Sequence, residues 1–237
     1  MIDIIKYTLQ NLGAAHDEKT VNKFYEFMEL VLERNEYINL TAITDRDEFK
    51  KKHLMDSIIC YGWDEIEKAQ NIIDVGTGAG FPGIPLALLY PDKQFLLLDS
   101  LNKRLEFINE SAEKLEVKNI RTLHARAEDA GREEMLREKF DLSLSRAISS
   151  LSVVSEYCLP FVKPGGVLYT YKTKRAVDEI EESLLARKLL GASDEVEIRK
   201  SDIQGFHLDH NIWVIKKIRN TPDTYPRKAG IPKKIPL

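Results

Sequence analysis

The stretch Asn71-Ile-Ile-Asp-Val-Gly-Thr-Gly-Ala-Gly-Phe-Pro-Gly83 leaves this chain few folds to choose from. Ile72, Ile73 and Val75 form a short β-branched apolar run, the composition of a strand buried on both faces. Asp74 interrupts that run, and an acid there requires a reason. Gly76, Gly78 and Gly80 follow at two-residue spacing, so the backbone can turn sharply and come close to a ligand. After Pro82 the apolar segment Gly83 to Tyr90 reads as a helix whose prolines stay in the first turn. Strand, glycine loop and helix in that order are the layout of a nucleotide site at the carboxyl end of a parallel strand.

The loop admits more than one ligand. Gly78-Ala-Gly-Phe-Pro-Gly83 fits G-x-G-x-x-G, which points to a dinucleotide pyrophosphate on a helix N-terminus. Asp74-x-Gly-x-Gly-x-Gly80 resembles the first motif of S-adenosylmethionine-dependent methyltransferases. On that resemblance Asp74, Gly76, Gly78 and Gly80 hold the amino-acid end of a cofactor that has no phosphate. A turn without a ligand is a third reading, because a glycine motif alone is weak evidence.

The flanking segments decide between these. Residues 1–65 read as a helical extension. Asp17 is placed to cap a helix carrying Val21, Phe24, Met28 and Val31 at intervals of three and four. Asp45 followed by Glu48 resembles a capping box for a second helix with Phe49, His53, Leu54 and Ser57. His53 and Asp56 read either as helix surface or as an edge facing a substrate. From Asn71 the pattern alternates β and α. Gln94 to Asp99 is a second buried strand ending in an acid. Asp99 lies 25 residues after Asp74, near the separation expected between a glycine loop and the acid that accepts both ribose hydroxyls. Its alternative role is to cap the next helix, Asn102 to Leu115. Strands at 119–124, 140–147 and 167–172 follow, and 125–129 is placed to cover an adenine edge. A helix from Arg175 to Leu190 ends at Gly191. Two strands, 195–200 and 212–218, are then joined by about eleven residues, too few for a βαβ crossover, so they pair antiparallel. A mostly parallel seven-stranded sheet closed by an antiparallel hairpin is the class I methyltransferase plan, Rossmann-like, rather than the dehydrogenase plan.

The remaining composition narrows the setting. With 237 residues and 43% hydrophobic content the chain supports one α/β domain, here 66–219, plus appendages. No apolar run approaches the ~20 residues of a membrane span, and no signal-peptide pattern precedes residue 30. Cys60 and Cys158 lack metal-ligand spacing and read as buried thiols in a reducing compartment, which implies a cytoplasmic protein. No metal site is expected.

Several segments together resemble the bacterial small-subunit rRNA guanine-N7 methyltransferases, also called glucose-inhibited division protein B. They are Asn35-x-x-x-Asn-Leu-Thr-Ala-Ile43, His53-Leu-Met-Asp-Ser57, Asp74 to Gly83, Leu98-Asp-Ser-Leu-Asn-Lys-Arg104, Ser145-Arg-Ala147 and Tyr225-Pro-Arg-Lys-Ala-Gly230. They span nearly the whole chain, and the Asn-Leu-Thr-Ala-Ile and Tyr-Pro-Arg-Lys segments are far more specific than the glycine motif. The resemblance implies methylation of a guanine in the 530 loop of 16S rRNA with S-adenosylmethionine. Carried over residue by residue, it puts cofactor contacts at Gly76, Phe81, Ala127, Glu128 and Arg146.

The residues also bear on the chemistry. Methylation of exocyclic base amines usually uses Asn/Asp-Pro-Pro-aromatic after the fourth strand, where this chain has Ser145-Arg-Ala-Ile-Ser149. Methylation of pyrimidine C5 needs a cysteine in a context that neither Cys60 nor Cys158 has. Guanine N7 carries a lone pair and no proton, so it needs positioning and field rather than a general base. No catalytic acid or base is therefore expected, and Arg146 is the candidate for a positioning role, against a surface ion pair. Phe81 is read as packing on cofactor or in the core. Lys172, at the end of the fifth strand, is a candidate phosphate contact. From Val214 onward Lys216, Lys217, Arg219, Arg227, Lys228, Lys233 and Lys234 face only Asp223, a local +6 in a chain of net charge −3. With Tyr225, Pro226, Pro232 and Pro236, residues 220–237 read as a stiff, extended basic tail. Within it Arg227, Lys228, Lys233 and Lys234 meet RNA, and its removal leaves the melting temperature almost unchanged. The other reading of the tail is structural packing over the sheet. The expected partner is 16S rRNA in the small subunit, met by a monomer. A small-molecule methyltransferase, a nicotinamide-dependent oxidoreductase and a non-enzymatic binding module are the competing classes.

Overall fold

The apolar run at the glycine motif forms β1 (Asn71–Val75), the strand on which the domain is centred in the computed structural model, which describes residues 3–147, 149–173, 177–203 and 206–237. β1 pairs parallel with β2 (Gln94–Asp99) on one side and with β4 (Phe140–Arg146) on the other. β3 (Ile120–His124) extends the sheet beyond β2, and β5 (Val162–Thr173) lies parallel to β4. β7 (Phe206–Lys216) inserts antiparallel between β5 and β6 (Glu197–Ile203), giving the order β3-β2-β1-β4-β5-β7-β6. Chain direction from β1 departs one way to β2 and the other way to β4, so the carboxyl ends of β1 and β4 flank a topological switch point, where open α/β sheets take their ligands.

Alternation along each strand sends its side chains into two separate cores. Ile72, Leu97 and Tyr169 face one, and Ile73, Leu98 and Leu168 face the other. The first core is covered by α1 (Ile4–Asn11), α2 (Glu18–Asn35) and a continuous helical segment. That segment begins as α3 (Arg46–Phe49), widens into a π-helix over Lys50–Met55 and returns to α4 (Asp56–Ile58). After α5 (Asp64–Lys68), the same face holds α6 (Gly83–Leu89) and α7 (Asn102–Lys114). The other face carries α8 (Ala127–Ala130), α9 (Leu151–Cys158), α10 (Glu179–Glu182) and α11 (Leu184–Leu189).

The caps expected in the extension form. Asp17 accepts from the Thr20 N–H, and Val21, Phe24, Met28 and Val31 are all buried. Asp45 accepts from the N–H groups of Asp47 and Glu48, but Glu48 turns its carboxylate to Lys52, so the capping box is half made. The π-helical stretch has no signature in the apolar spacing; such widened turns recur at functional sites. Where one helix was expected up to Leu190, α10 and α11 are separated at Ser183, which sits at φ −90° and ψ 1°. Arg187 explains the break. Its guanidinium is buried and donates to the Ile180 carbonyl, the Ser183 hydroxyl and the Asp194 carbonyl. Residues 174–176, at the expected start of that helix, lie outside the described residues. The antiparallel hairpin is present, but most of its expected eleven-residue connection is strand.

The tail departs furthest from expectation. Residues 220–237 fold back onto the domain instead of extending. Arg137 donates to the carbonyls of Thr221 at 2.6 Å, Pro222 at 3.1 Å and Tyr225 at 2.9 Å. Arg227 forms a fork on Glu156, with Nη2 2.6 Å from Oε2. The Gly230 N–H donates to Glu128 at 2.7 Å, and α12 (Ile231–Lys234) rests against α9. Among the described residues, no helix is long and apolar enough to cross a membrane.

Candidate functional site

The glycine loop leaves β1 through left-handed backbone at Gly76, Gly78 and Gly80. At Gly80 the requirement is double: φ is +96°, and a Cβ would lie 2.6 Å from Ile84. At Gly78, with φ +62°, the space where a Cβ would point is open, so the loop leaves room there. Asp74 holds the loop from beneath. It is 0% exposed, and its Oδ2 accepts from the Thr77 hydroxyl at 2.7 Å and the Gly83 N–H at 3.0 Å. Oδ1 has no hydrogen-bond partner among the described residues. Burial pushes this carboxyl up to about 7, against the pull of its two donors. The expectation that Asp74 grips a ligand directly is thus corrected: its side chain shapes the loop and lies outside the lining of the cleft.

That cleft, about 350 Å³, opens at the carboxyl ends of β1, β2 and β4. Gly76, Asp99, Ala127, Glu128 and Arg146 line it, as does Lys233 from the folded-back tail. Gly78, Gly80 and Phe81 do not. Asp99 accepts from the Gly78 N–H at 3.0 Å and the Leu101 N–H at 2.9 Å and lies 3.4 Å from the Arg104 guanidinium. It therefore ties β2 to the glycine loop. The capping position of α7 belongs to Leu101, so the reading of Asp99 as a helix cap fails. The donor set suits an adenosyl group: a buried acid with lone pairs at the end of β2, the glycine turn that begins at Gly76, and Ala127 beside Glu128.

Arg146 ends β4 and is the hub of the site. Its Nη1 donates to Asp56 Oδ2 and to the Lys52 carbonyl, both at 3.2 Å, and its Nη2 donates to His53 Nδ1 at 3.0 Å. The guanidinium also sits 5.1 Å above the Phe81 ring. His53 stacks on Phe81 with the planes 14° apart, and Phe27 and Phe49 complete the aromatic cluster. Phe81 thus serves the core. Burial and then the Arg146 charge pull His53 down to about 3, so the ring is neutral. With Nδ1 accepting from Arg146, the His53 proton belongs on Nε2, 2.7 Å from the Thr41 hydroxyl. Asp56, 1% exposed, takes His210 as a further partner at 3.0 Å. The surface reading of His53 and Asp56 is therefore corrected: both face inward at the end of the sheet.

The Asn-Leu-Thr-Ala-Ile segment gains a physical role here. Asn35 Oδ1 accepts from the N–H groups of Leu40 and Thr41, at 2.7 and 2.9 Å, and so fixes the loop that presents Thr41 to His53. In the sequence Asn35 and Thr41 stand out only as members of the resembling segment, with no role of their own. On the far side of Arg146 and Ala147 lies a second hollow, about 250 Å³, that these two residues share with the cleft.

Two expected RNA contacts are corrected. Lys172 is 8% exposed and donates to the Ser149 carbonyl at 2.5 Å and Glu179 at 2.6 Å, so it is spent inside the fold. Arg227 is spent on Glu156. Lys228, Lys233 and Lys234 are exposed. Among the described residues no His, Cys, Asp and Glu cluster suits a metal ion.

A family model described as rRNA small subunit methyltransferase G matches residues 20–201. The ribosomal RNA small subunit methyltransferase G of Clostridium tetani is 44% identical over 235 residues, 99% of this chain and 98% of its own. The protein of that name from Alkaliphilus metalliredigens is 42% identical over 234 residues, with coverage of 99% and 98%. Among solved structures, an O-methyltransferase from Bacillus cereus in complex with SAH superposes with a TM-score of 0.54 at 20% identity, covering 81% of this chain and 90% of that one. TYW2 of M. jannaschii in complex with AdoMet gives 0.51 at 16% identity, covering 69% and 74%. At such identities the solved structures establish a shared fold.

Proposed function

Because the chain belongs to the rRNA small subunit methyltransferase G family, we propose that it transfers a methyl group from S-adenosylmethionine to N7 of a guanine in the 530 loop of 16S rRNA. The observation that carries this reading is Arg146 at the seam of two adjoining hollows, one with the donor set for an adenosyl group and the other free for a base. S-adenosylmethionine supplies an electrophilic methyl group on a sulfonium. Asp99 would hold the ribose hydroxyls, Gly76 would receive the amino-acid end, and Ala127 and Glu128 would border the adenine. Arg146, fixed on four sides, orients the reacting end. N7 has no proton to lose, so no residue needs to remove one. Cys60 and Cys158 are buried, and burial pushes both thiols up to about 12, which suits neither to nucleophilic attack on a pyrimidine.

The test is to incubate the protein with labelled S-adenosylmethionine and unmodified small-subunit RNA or particles. Label recovered as 7-methylguanosine supports the reading, and label in any other nucleoside overturns it. We read the enzyme as acting as a monomer.

Two expectations follow for binding. Asp99→Ala should weaken S-adenosylmethionine binding by about 1.5–3 kcal/mol, the range for a hydrogen bond to a charged group. Unchanged affinity by calorimetry in the folded variant would remove Asp99 from the site. Replacing Lys228, Lys233 and Lys234 together by Gln should lower the salt slope of RNA binding by about 2, given about 0.7 per phosphate contact on a single strand. An unchanged slope would move the RNA surface away from the tail.

A further inference from the structure

Enzymes that do chemistry on a base commonly take it out of its stack, and a second hollow beside the cofactor cleft gives such a base a place. The hollow beyond Arg146 is so placed, since Arg146 and Ala147 line both spaces. Ala147 holds φ at +56°, a conformation rare for a residue with a Cβ and typical of functional sites. Ile43 and Leu208 form apolar walls, suited to the faces of a purine. Lys51 stands exposed at the same hollow, suited to a flanking phosphate, beside Lys52, whose surface pair with Glu48 is open to solvent.

Resting on the function proposed above, we infer that this hollow receives the flipped-out guanine and that Asp56 selects guanine over adenine. A carboxylate beside a guanidinium complements one base edge. Guanine presents the N1–H and the 2-amine as donors next to O6 as acceptor. Asp56 Oδ1 accepts from His210 at 3.1 Å, and Oδ2 accepts from His210 and Arg146. A carboxylate offers about four lone-pair positions, so Asp56 has capacity for the guanine donors while it stays paired. Arg146 lies beside it to donate to O6. Adenine would set its N1 lone pair against the carboxylate, an arrangement that rejects the wrong base. N7 lies on the other edge of the purine and stays free. Methylation there leaves the ring with a positive charge, and the fixed negative charge of Asp56 favours that product-like state.

The test compares kcat/KM on small-subunit RNA carrying guanosine or inosine at the target. Inosine keeps N1–H, O6 and N7 and lacks the 2-amine. The wild-type protein should lose roughly tenfold or more on inosine. Asp56→Asn should be slower on guanosine and show little further loss on inosine. Ile43→Trp, which fills the hollow from its partly exposed wall, should bind S-adenosylmethionine as the wild type does and methylate RNA at least about tenfold more slowly. Equal rates on both RNAs in the wild type, or the same inosine loss in Asp56→Asn, overturn the role of Asp56. Undiminished methylation by Ile43→Trp overturns the hollow as the base site. The wild-type comparison and Ile43→Trp stand even if Asp56→Asn does not fold. No 7-methylguanosine from wild type on guanosine RNA would instead overturn the assigned reaction, and this inference with it.

Discussion

Truncation after Asn220 is expected to lower the melting temperature by roughly 6–20 °C. Glu156 is 0% exposed, and the tail supplies its counter-ion in Arg227, with both a side-chain fork and the Arg227 N–H. Removing one partner of a buried ion pair costs about 3–5 kcal/mol, because the remaining charge is left desolvated. For a chain of this size each kcal/mol moves the midpoint by about 2–4 °C. Arg137 would also lose three carbonyl acceptors. Scanning calorimetry of the truncated protein decides. A midpoint that stays put, with a flattened salt dependence of RNA binding, would restore the extended arm. Arg227→Gln gives a finer version, since it removes the charge and leaves the rest of the tail in place.

Arg146→Ala should be the most damaging single substitution at the site. The Asp56 carboxylate is buried and Arg146 is only 9% exposed as a side chain, so the variant leaves a buried carboxylate with one of its partners gone, at a cost of about 3–5 kcal/mol. Methyl transfer should fall with it. Arg146→Lys separates stability from positioning: it restores a charge near Asp56 but not the planar fork that serves Asp56, Lys52 and His53 together. Its melting point should recover further than its kcat. The pH dependence gives a second signature. His53 is depressed below its unfolded value of 6.5 to about 3, so the unfolded chain binds the extra proton between those values. The His53 contribution is present above 6.5 and is lost as pH falls towards 3. Taking away the Arg146 charge raises the folded value, so the acid side of the melting profile should slope less in Arg146→Gln than in wild type. Parallel profiles would show that Arg146 does not set the state of His53.

The sheet was legible because its signals are local. Ile72, Ile73 and Val75 declare a buried strand, Gly80 declares a turn, and eleven residues between two strands exclude a crossover. The cleft was legible where a motif fixes the backbone: Asp99 and Gly76, singled out by the glycine motif and the acid after it, both line it. The site was not legible for charged side chains whose partner comes from far along the chain. Lys172 looks like a phosphate ligand until Glu179 is found beside it, and Arg227 until Glu156 is. Asp56 looks like helix surface because the helix-period pattern cannot anticipate a π-helical stretch over Lys50–Met55, nor an arginine 90 residues downstream. Asp74 was misplaced for a related reason. Its motif marks the loop, but whether the carboxylate faces the ligand or the loop's underside is a matter of three-dimensional packing.

The anchoring of Thr41 by Asn35 bears on how such enzymes can be recombined. Contacts run without a gap from the last residue of α2 through Thr41, His53 and Arg146 to Asp56. The helical extension is therefore not a cassette that can be exchanged between relatives while the sheet is kept. A chimera joined near residue 66 would inherit the loop from one parent and Arg146 from the other. It would stay active only where both parents agree at each link of that chain, so a working crossover must carry the carboxyl end of β4 together with the extension.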